Sequence, residues 1–530
     1  MQKRKNRQQN MLTVLLFGML VVFFVAVCYI NVSLTPSFYC TDMYSDIMLA
    51  KEIWDQKALF PEGWVYGNQL YVVATPVLAA LVYGVVGNPF FAMGLASSVM
   101  SVLFAFSFCW MLKPVLKREA RLFALVFLMA IVAFFGDAYQ KTTGWQMFFT
   151  MCTYYACYGI TAFLAFGCYI RSRFKWNNKL AIVLSLVCVL SFATGIQSLR
   201  QTAIMGLPLL FVEGIHIGLN LWNRTDFQKG ILFSNSLLVA GAIFISNVCG
   251  LIAKSWLQVS QVEIFGKTTI VPLSQVWGNL QESTTNLFSL FIRAQEYPLW
   301  FGAIVVLLYG LLLLYLLFRA WSTKDTAEVD LILLLFSSVA AIFAIDVLLT
   351  MAVRPLYYFM LFPLMALVTA RLFTIQWTKI LSMVLLVGLF FGTCYNSIYP
   401  AYEKISQKQD ELYYTVSSDI VEMGYDTVYT RWNRGEKLAI ASGGRIQAGF
   451  WEPLFVGVDY ICNPDIFNRD PQRVVYYFDT VSGAEEGVAL ARTYQIELEL
   501  IKYYPDTGVS LYCAPINLIQ LCTPERIFES

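Results

Sequence analysis

The sequence predicts an α-helical polytopic membrane protein of about eleven transmembrane helices, followed by a C-terminal α/β extracytoplasmic domain. Three observations carry this. Hydrophobic residues make up 58 % of the chain and charged residues only 14 %, a balance outside the range of water-soluble domains. Apolar runs of about 20 residues, the length that crosses roughly 30 Å of hydrocarbon, recur as far as residue 397. From about Ile398 the chain turns charged, aromatic and rich in turn residues. The formal net charge of +2 makes no bulk electrostatic case for nucleic acid or an acidic polymer.

Residues 11–30 form the first run, after Lys3, Arg4, Lys5 and Arg7 and without a small-residue cleavage site. They read as an uncleaved span with a cytoplasmic N-terminus. The loops 113–121 and 171–179 each carry four basic residues, and 223–229, 319–330 and 371–379 carry fewer. All of these are cytoplasmic only if 70–87 does not cross. Its short length, Thr75-Pro76 and Gly84 fit a juxtamembrane or re-entrant helix. The spans then fall near 11–30, 89–112, 122–136, 148–170, 180–198, 202–222, 230–253, 299–320, 331–352, 356–373 and 380–397. Residues 1–397 form the membrane domain, with a first outer loop at 31–88, and 398–530 the extracytoplasmic domain. In the latter, DTVYTRW, RVVYYFD and ELELIKYY alternate as strands do, while 403–423 and 482–494 read as helices.

The first outer loop holds five carboxylates. Asp42 and Asp46 are spaced i, i+4, which places both on one helix face a turn apart. Such a pair can hold a cation or a proton, or take the proton from an acceptor hydroxyl. The plainer alternative is a pair of solvated surface acids, which is how Glu52, Asp55 and Glu62 read. Trp64 and Tyr66 flank the acidic helix, either as an interfacial belt or as a stacking platform for a sugar ring. Asp137, in the second outer loop with Lys141, reads as a second acid or as a helix terminus. Arg200 and Arg354 stand in two tight outer turns. There an arginine either grips a phosphate bidentately or snorkels to headgroups. Tyr357 and Tyr358 follow Arg354 and are placed to orient it.

Inside the spans, Asp346, Glu213 and His216 are costly unless paired or set in a polar cavity. Glu213 and His216, at i, i+3, are expected to satisfy one another. His216 is the single histidine, which excludes a histidine-rich metal site. Most of the 12 cysteines lie in apolar runs and read as packing residues. Cys40, Cys462, Cys513 and Cys522 lie outside those runs, and a disulfide among the last three is left open.

The organisation resembles the GT-C superfamily of integral-membrane glycosyltransferases, which includes protein mannosyltransferases, lipid A aminoarabinose transferases and bacterial oligosaccharyltransferases. DMYSDIMLAKE is similar to that family's acid followed by an Ala-containing amphipathic helix, with Asp42 preferred over Asp46 as the match. Arg354 in VRPLYYFMLFP resembles a late outer turn that contacts the lipid phosphate. The lysine-diproline of the aminoarabinose group and the WWDYG motif of the oligosaccharyltransferases are absent, so neither substrate carries over. The resemblance implies inverting transfer of a sugar from a polyprenyl-phosphate donor to an extracytoplasmic acceptor, whether cell-envelope glycan, lipid or protein, by a carboxylate base. No cofactor is required by this scheme, a divalent cation is an optional one, and no metal ligands are assigned. The competing class is a non-enzymatic polytopic protein, a lipid-linked saccharide flippase or a transporter. A transporter should show inverted repeats, and the sequence shows none.

Overall fold

The computed structural model describes residues 2–67, 69–135, 155–174, 176–222, 234–262, 269–291, 298–350, 355–432 and 434–523. Eight stretches among them are helical, long and apolar enough to cross a membrane: Asn10–Val32, Pro89–Leu112, Asn178–Gln197, Thr202–Leu219, Asn235–Lys254, Leu299–Ser322, Thr326–Leu348 and Lys379–Ser406. The chain is therefore a multi-pass helical membrane protein. The other three expected spans fall on shorter or more charged helices, Arg118–Phe135, Ala156–Ser172 and Leu361–Thr374. The first opens on Arg118, Glu119 and Arg121. The third, at 14 residues, extends only about 21 Å.

The helices are labelled in order: α1 Gln2–Val32, α2 Thr41–Gln56, α3 Thr75–Val86, α4 Pro89–Leu112, α5 Arg118–Phe135, α6 Ala156–Ser172, α7 Asn178–Gln197, α8 Leu207–Trp222, α9 Asn235–Lys254, α10 Leu273–Ser289, α11 Leu299–Ser322, α12 Thr326–Leu348, α13 Leu361–Thr374, α14 Lys379–Thr393 and α15 Tyr399–Ser406. At 12 residues α3 spans about 18 Å and is too short to cross. Pro76 opens it, Gly87 closes it with φ +70°, and it packs between α2 and α4. Close crossings use small residues. A Cβ on Gly84 would meet the Trp54 ring at 2.1 Å, and one on Gly94 would meet the Asn31 carbonyl oxygen at 2.1 Å.

One end of the bundle gathers the basic residues. Arg171 donates to the Trp110 carbonyl at the end of α4 (2.5 Å), and Arg173 pairs with Asp330 of α12 (2.9 Å). Arg371 pairs with Asp325 (3.1 Å) and with Glu328. His216 does not pair with Glu213 as the sequence suggests. Its Nε2 meets Asp330 Oδ1 at 2.7 Å instead, because α12 brings a fully buried carboxylate against both His216 and Arg173. His216 and Arg173 thus share one buried carboxylate.

The other end carries a five-stranded sheet of order β2-β1-β3-β5-β4, formed by β1 Thr427–Arg431, β2 Gln447–Trp451, β3 Val474–Phe478, β4 Glu499–Tyr504 and β5 Val509–Cys513. β1 pairs parallel with β2 and β3, and β5 runs antiparallel to β3 and β4. The central strands β1 and β3 are buried almost end to end, as parallel strands covered on both faces are. Helices α16 Glu411–Glu422, α17 Glu436–Ala441, α18 Val481–Thr493 and α19 Leu518–Cys522 complete the unit. The segments read as strands become β1, β3 and β4. Cys462, Cys513 and Cys522 carry free thiols.

α2 is the joint between the two units. The Tyr44 hydroxyl accepts the Ala448 N–H (2.9 Å), while its ring stacks on Phe90 and meets Phe450 edge-on. The Thr41 hydroxyl donates to Glu436 (3.3 Å), the Ser37 N–H donates to Asp410 (2.9 Å), and the Val65 N–H donates to the Cys462 carbonyl (2.9 Å).

Candidate active site

Asp42 sits in the first turn of α2, where the exposed N–H groups and helix dipole favour a carboxylate. It is half-buried, and Asp46, one turn on, is fully buried. Helical periodicity continues their stripe through Leu49 and Ile53. Both of those pack against Trp64, Tyr66, Leu70, Tyr71 and Ala74, together with Ile196 near the end of α7. The later turns of α2 therefore rest on the segment that leads from α2 to α3, while Asp42 and Asp46 lie within electrostatic reach of Cys40, and Asp42 also of Tyr460. Trp64 and Tyr66 are 3 % and 1 % exposed in that cluster. They are held by packing rather than displayed as an open belt, although Trp64 borders a cavity on the side of the sheet.

The same segment is tied down at its far end. Gln197, the last residue of α7, accepts the N–H groups of Val72 (2.9 Å) and Val73 (2.5 Å) through its side chain, and its own carbonyl accepts the Leu70 N–H (3.2 Å). Gln69 accepts the Tyr158 hydroxyl (3.0 Å) and donates to Tyr71 (3.3 Å). Tyr158 in turn leads to Arg200. Its guanidinium lies over three tyrosine rings, 4.3 Å from the centroid of Tyr357, 5.5 Å from Tyr155 and 5.8 Å from Tyr158. Among the described residues no carboxylate forms an ion pair with it. Neutral rings stabilise the cation without cancelling its charge.

Arg200 is placed by an irregular backbone. After the break at Ser198, residues Thr202–Gly206 form a π-helical turn before α8. The carbonyl of Ile204 in that turn accepts the Ser338 hydroxyl (2.7 Å), and Thr202 bonds to Asn247 (2.5 Å). π turns recur at functional sites.

Tyr357 and Tyr358 belong to one 3₁₀ turn, Pro355–Tyr358, in which neighbours point about 120° apart. Tyr357 turns to Arg200. Tyr358 is buried and donates to Asp346 at 2.7 Å. Asp346 is thus occupied by a local contact and is not displayed to the Arg200 cage. Asp137 and Arg354 lie outside the described residues. Among the described residues no three His, Cys, Asp or Glu side chains gather as metal ligands.

Gln69, Tyr155, Tyr158 and Gln197 were not singled out from sequence. The signal for Tyr155 and Tyr158 was their i, i+3 spacing at the start of a span, which puts two rings on one face. The glutamines left no such trace.

Fold and composition together define a polytopic helical membrane protein with a C-terminal α/β unit. No family model matches the sequence, and no curated protein matches it. Among solved structures the chain is similar to ArnT from Cupriavidus metallidurans, both bound to undecaprenyl phosphate and in the apo state. Identity is 11 % in each case, 95 % of this chain and 99 % of the other are covered, and the TM-scores are 0.47 and 0.49.

Proposed function

We propose that the chain is a GT-C-type membrane glycosyltransferase that moves a sugar from a polyprenyl-phosphate donor to a hydroxyl of an extracytoplasmic acceptor. The observation that carries this reading is the Arg200 cage: a guanidinium among three neutral rings, linked through Tyr158 and Gln69 to the segment that packs on α2. A site of that kind suits a lipid-linked phosphate. In this scheme the N-terminus is cytoplasmic and the sheet-bearing end is outside.

The reaction is a single displacement with inversion. The acceptor oxygen attacks the anomeric carbon while its proton passes to a carboxylate of α2. The bond from the anomeric carbon to the phosphate oxygen breaks, and its electron pair leaves with the polyprenyl phosphate. Arg200 meets the growing phosphate charge, so no general acid is needed. Asp42, the less buried of the two acids, is assigned as base, and Asp46 as a positioning group behind it.

The test is sugar transfer by Asp42→Asn and Asp46→Asn in membranes supplied with polyprenyl-phosphate sugars. Loss of a general base costs about 10²–10⁴-fold in rate. Wild-type rates in both variants would remove the proposal.

A further inference from the structure

Between α2 and the edge of the sheet lies a cavity of about 90 Å³ that the proposed displacement does not use. That is several times the ~10–15 Å³ a cavity needs to admit a single water. Its walls are aromatic. Trp432 packs against Tyr460 with ring centroids 5.5 Å apart and against Phe450 at 5.5 Å, and Trp64 closes the side toward α2. Its polar lining offers both donors and acceptors, Lys51, Gln447, Asn463 and Arg469 beside Glu52 and Asp465. Among the described residues the buried indole N–H of Trp64 and the Nε of Arg469 find no hydrogen-bond partner, although Arg469 Nη2 donates to Gln447 at 2.6 Å. Trp64 is 3 % exposed, so leaving its N–H unmet is costly.

Among the lining residues Lys51 and Arg469 are matched by Glu52 and Asp465, and Asp55, paired with Lys51 at 2.6 Å, adds one further negative charge. A lining that is aromatic, carries both donors and acceptors and has no excess of positive charge suits a neutral polyhydroxyl ring better than a phosphate. The cavity also lies near the proposed chemistry: burial and then the Asp42 carboxylate raise the pKa of the Tyr460 hydroxyl, so a lining residue is within electrostatic reach of the assigned base.

We propose that this cavity, walled by Trp64, Trp432 and Tyr460 and edged by the polar side chains of Glu52, Gln447, Asp465 and Arg469, binds a sugar ring of the acceptor, so that the acceptor is a saccharide. This rests on the transferase reading for the word acceptor, but the binding site stands or falls separately.

The experiment is saturation-transfer NMR on the full chain in nanodiscs, with the methyl glycosides of mannose, glucose, galactose, N-acetylglucosamine and rhamnose as probes and inorganic phosphate as competitor. At least one glycoside should bind and resist displacement by phosphate. Its affinity should fall roughly tenfold or more in Trp432→Ala, the usual cost of truncating a buried aromatic anchor. Trp432→Phe, which keeps a ring, should retain most of the binding, and Asp42→Asn should bind as the wild type does. Failure of every glycoside to bind, equal binding in Trp432→Ala, or displacement by phosphate would overturn the inference. Binding that depends on Trp432 in a chain that transfers no sugar would leave the cavity assigned and remove the transferase. Sugar transfer whose acceptor KM is unmoved in Trp432→Ala would do the reverse.

Discussion

Arg200 shows how much a single residue's surroundings decide. Its guanidinium is stabilised by tyrosine rings, the nearest centroid 4.3 Å away, and these neutral neighbours leave its charge uncancelled. Arg200→Ala should weaken donor binding about 10–150-fold, from the ~1.5–3 kcal/mol carried by a hydrogen bond to a charged group, read as a rise in donor KM. Arg200→Lys should recover only part of this, because an ammonium has neither the plane nor the fork. Equal donor KM in the wild type and both variants would take the phosphate role away from this residue. Sequence reasoning reached Arg200 through its place in a turn too short to be a free loop. It could not separate Tyr357 from Tyr358, since adjacent tyrosines differ only in where the backbone aims them: one toward Arg200, the other onto Asp346.

At the scale of elements, α3 is held to α2 and α4 to α1 by approaches that tolerate no side chain. Gly84→Ala and Gly94→Ala would push a methyl group into the Trp54 ring and the Asn31 carbonyl. Each should destabilise the chain by about 1–3 kcal/mol, the usual cost of overpacking, seen as a lower midpoint of thermal unfolding in detergent. Gly18→Ala, where a Cβ meets nothing within 4 Å, is the control and should leave the midpoint unchanged. Most long spans were legible because apolar length is a property of the segment itself. The helices that were harder to read, such as α5 and α13, lie within the bundle and take their burial from neighbours. The pairing of His216 with Asp330, 114 residues apart, was hidden for the same reason.

For the whole molecule, the seam between the bundle and the sheet unit carries a titrating latch. Glu436 is 1 % exposed where α17 meets the start of α2, and it accepts the Thr41 hydroxyl. Burial pushes its carboxyl up to about 7, against the opposing pull of Lys437, Thr41 and Arg434. A carboxyl raised in the folded state contributes stability that is fully present below its unfolded value, near 4.5. That contribution is lost as the pH climbs to about 7. Glu436→Gln should therefore flatten the dependence of the unfolding midpoint on pH between about 4.5 and 7, and should be more stable than the wild type at pH 8. Parallel curves for the two proteins would show that Glu436 does not set this dependence. The presence of a C-terminal α/β unit was readable from the change of composition near Ile398. Its seating on α2 was not, because the contacts join residues hundreds of positions apart, such as Tyr44 and Ala448.

The π turn at Thr202–Gly206 has a consequence for engineering the protein. Such a turn spends one residue more than a regular one, and each residue of a helix is worth about 100° of rotation. Shortening it by a single position would swing Arg200 and the helix behind it out of phase with each other, whatever side chains were kept. The angular setting of the cage is thus stored in a count of backbone atoms, and redesign of its chemistry has to begin by leaving that count alone.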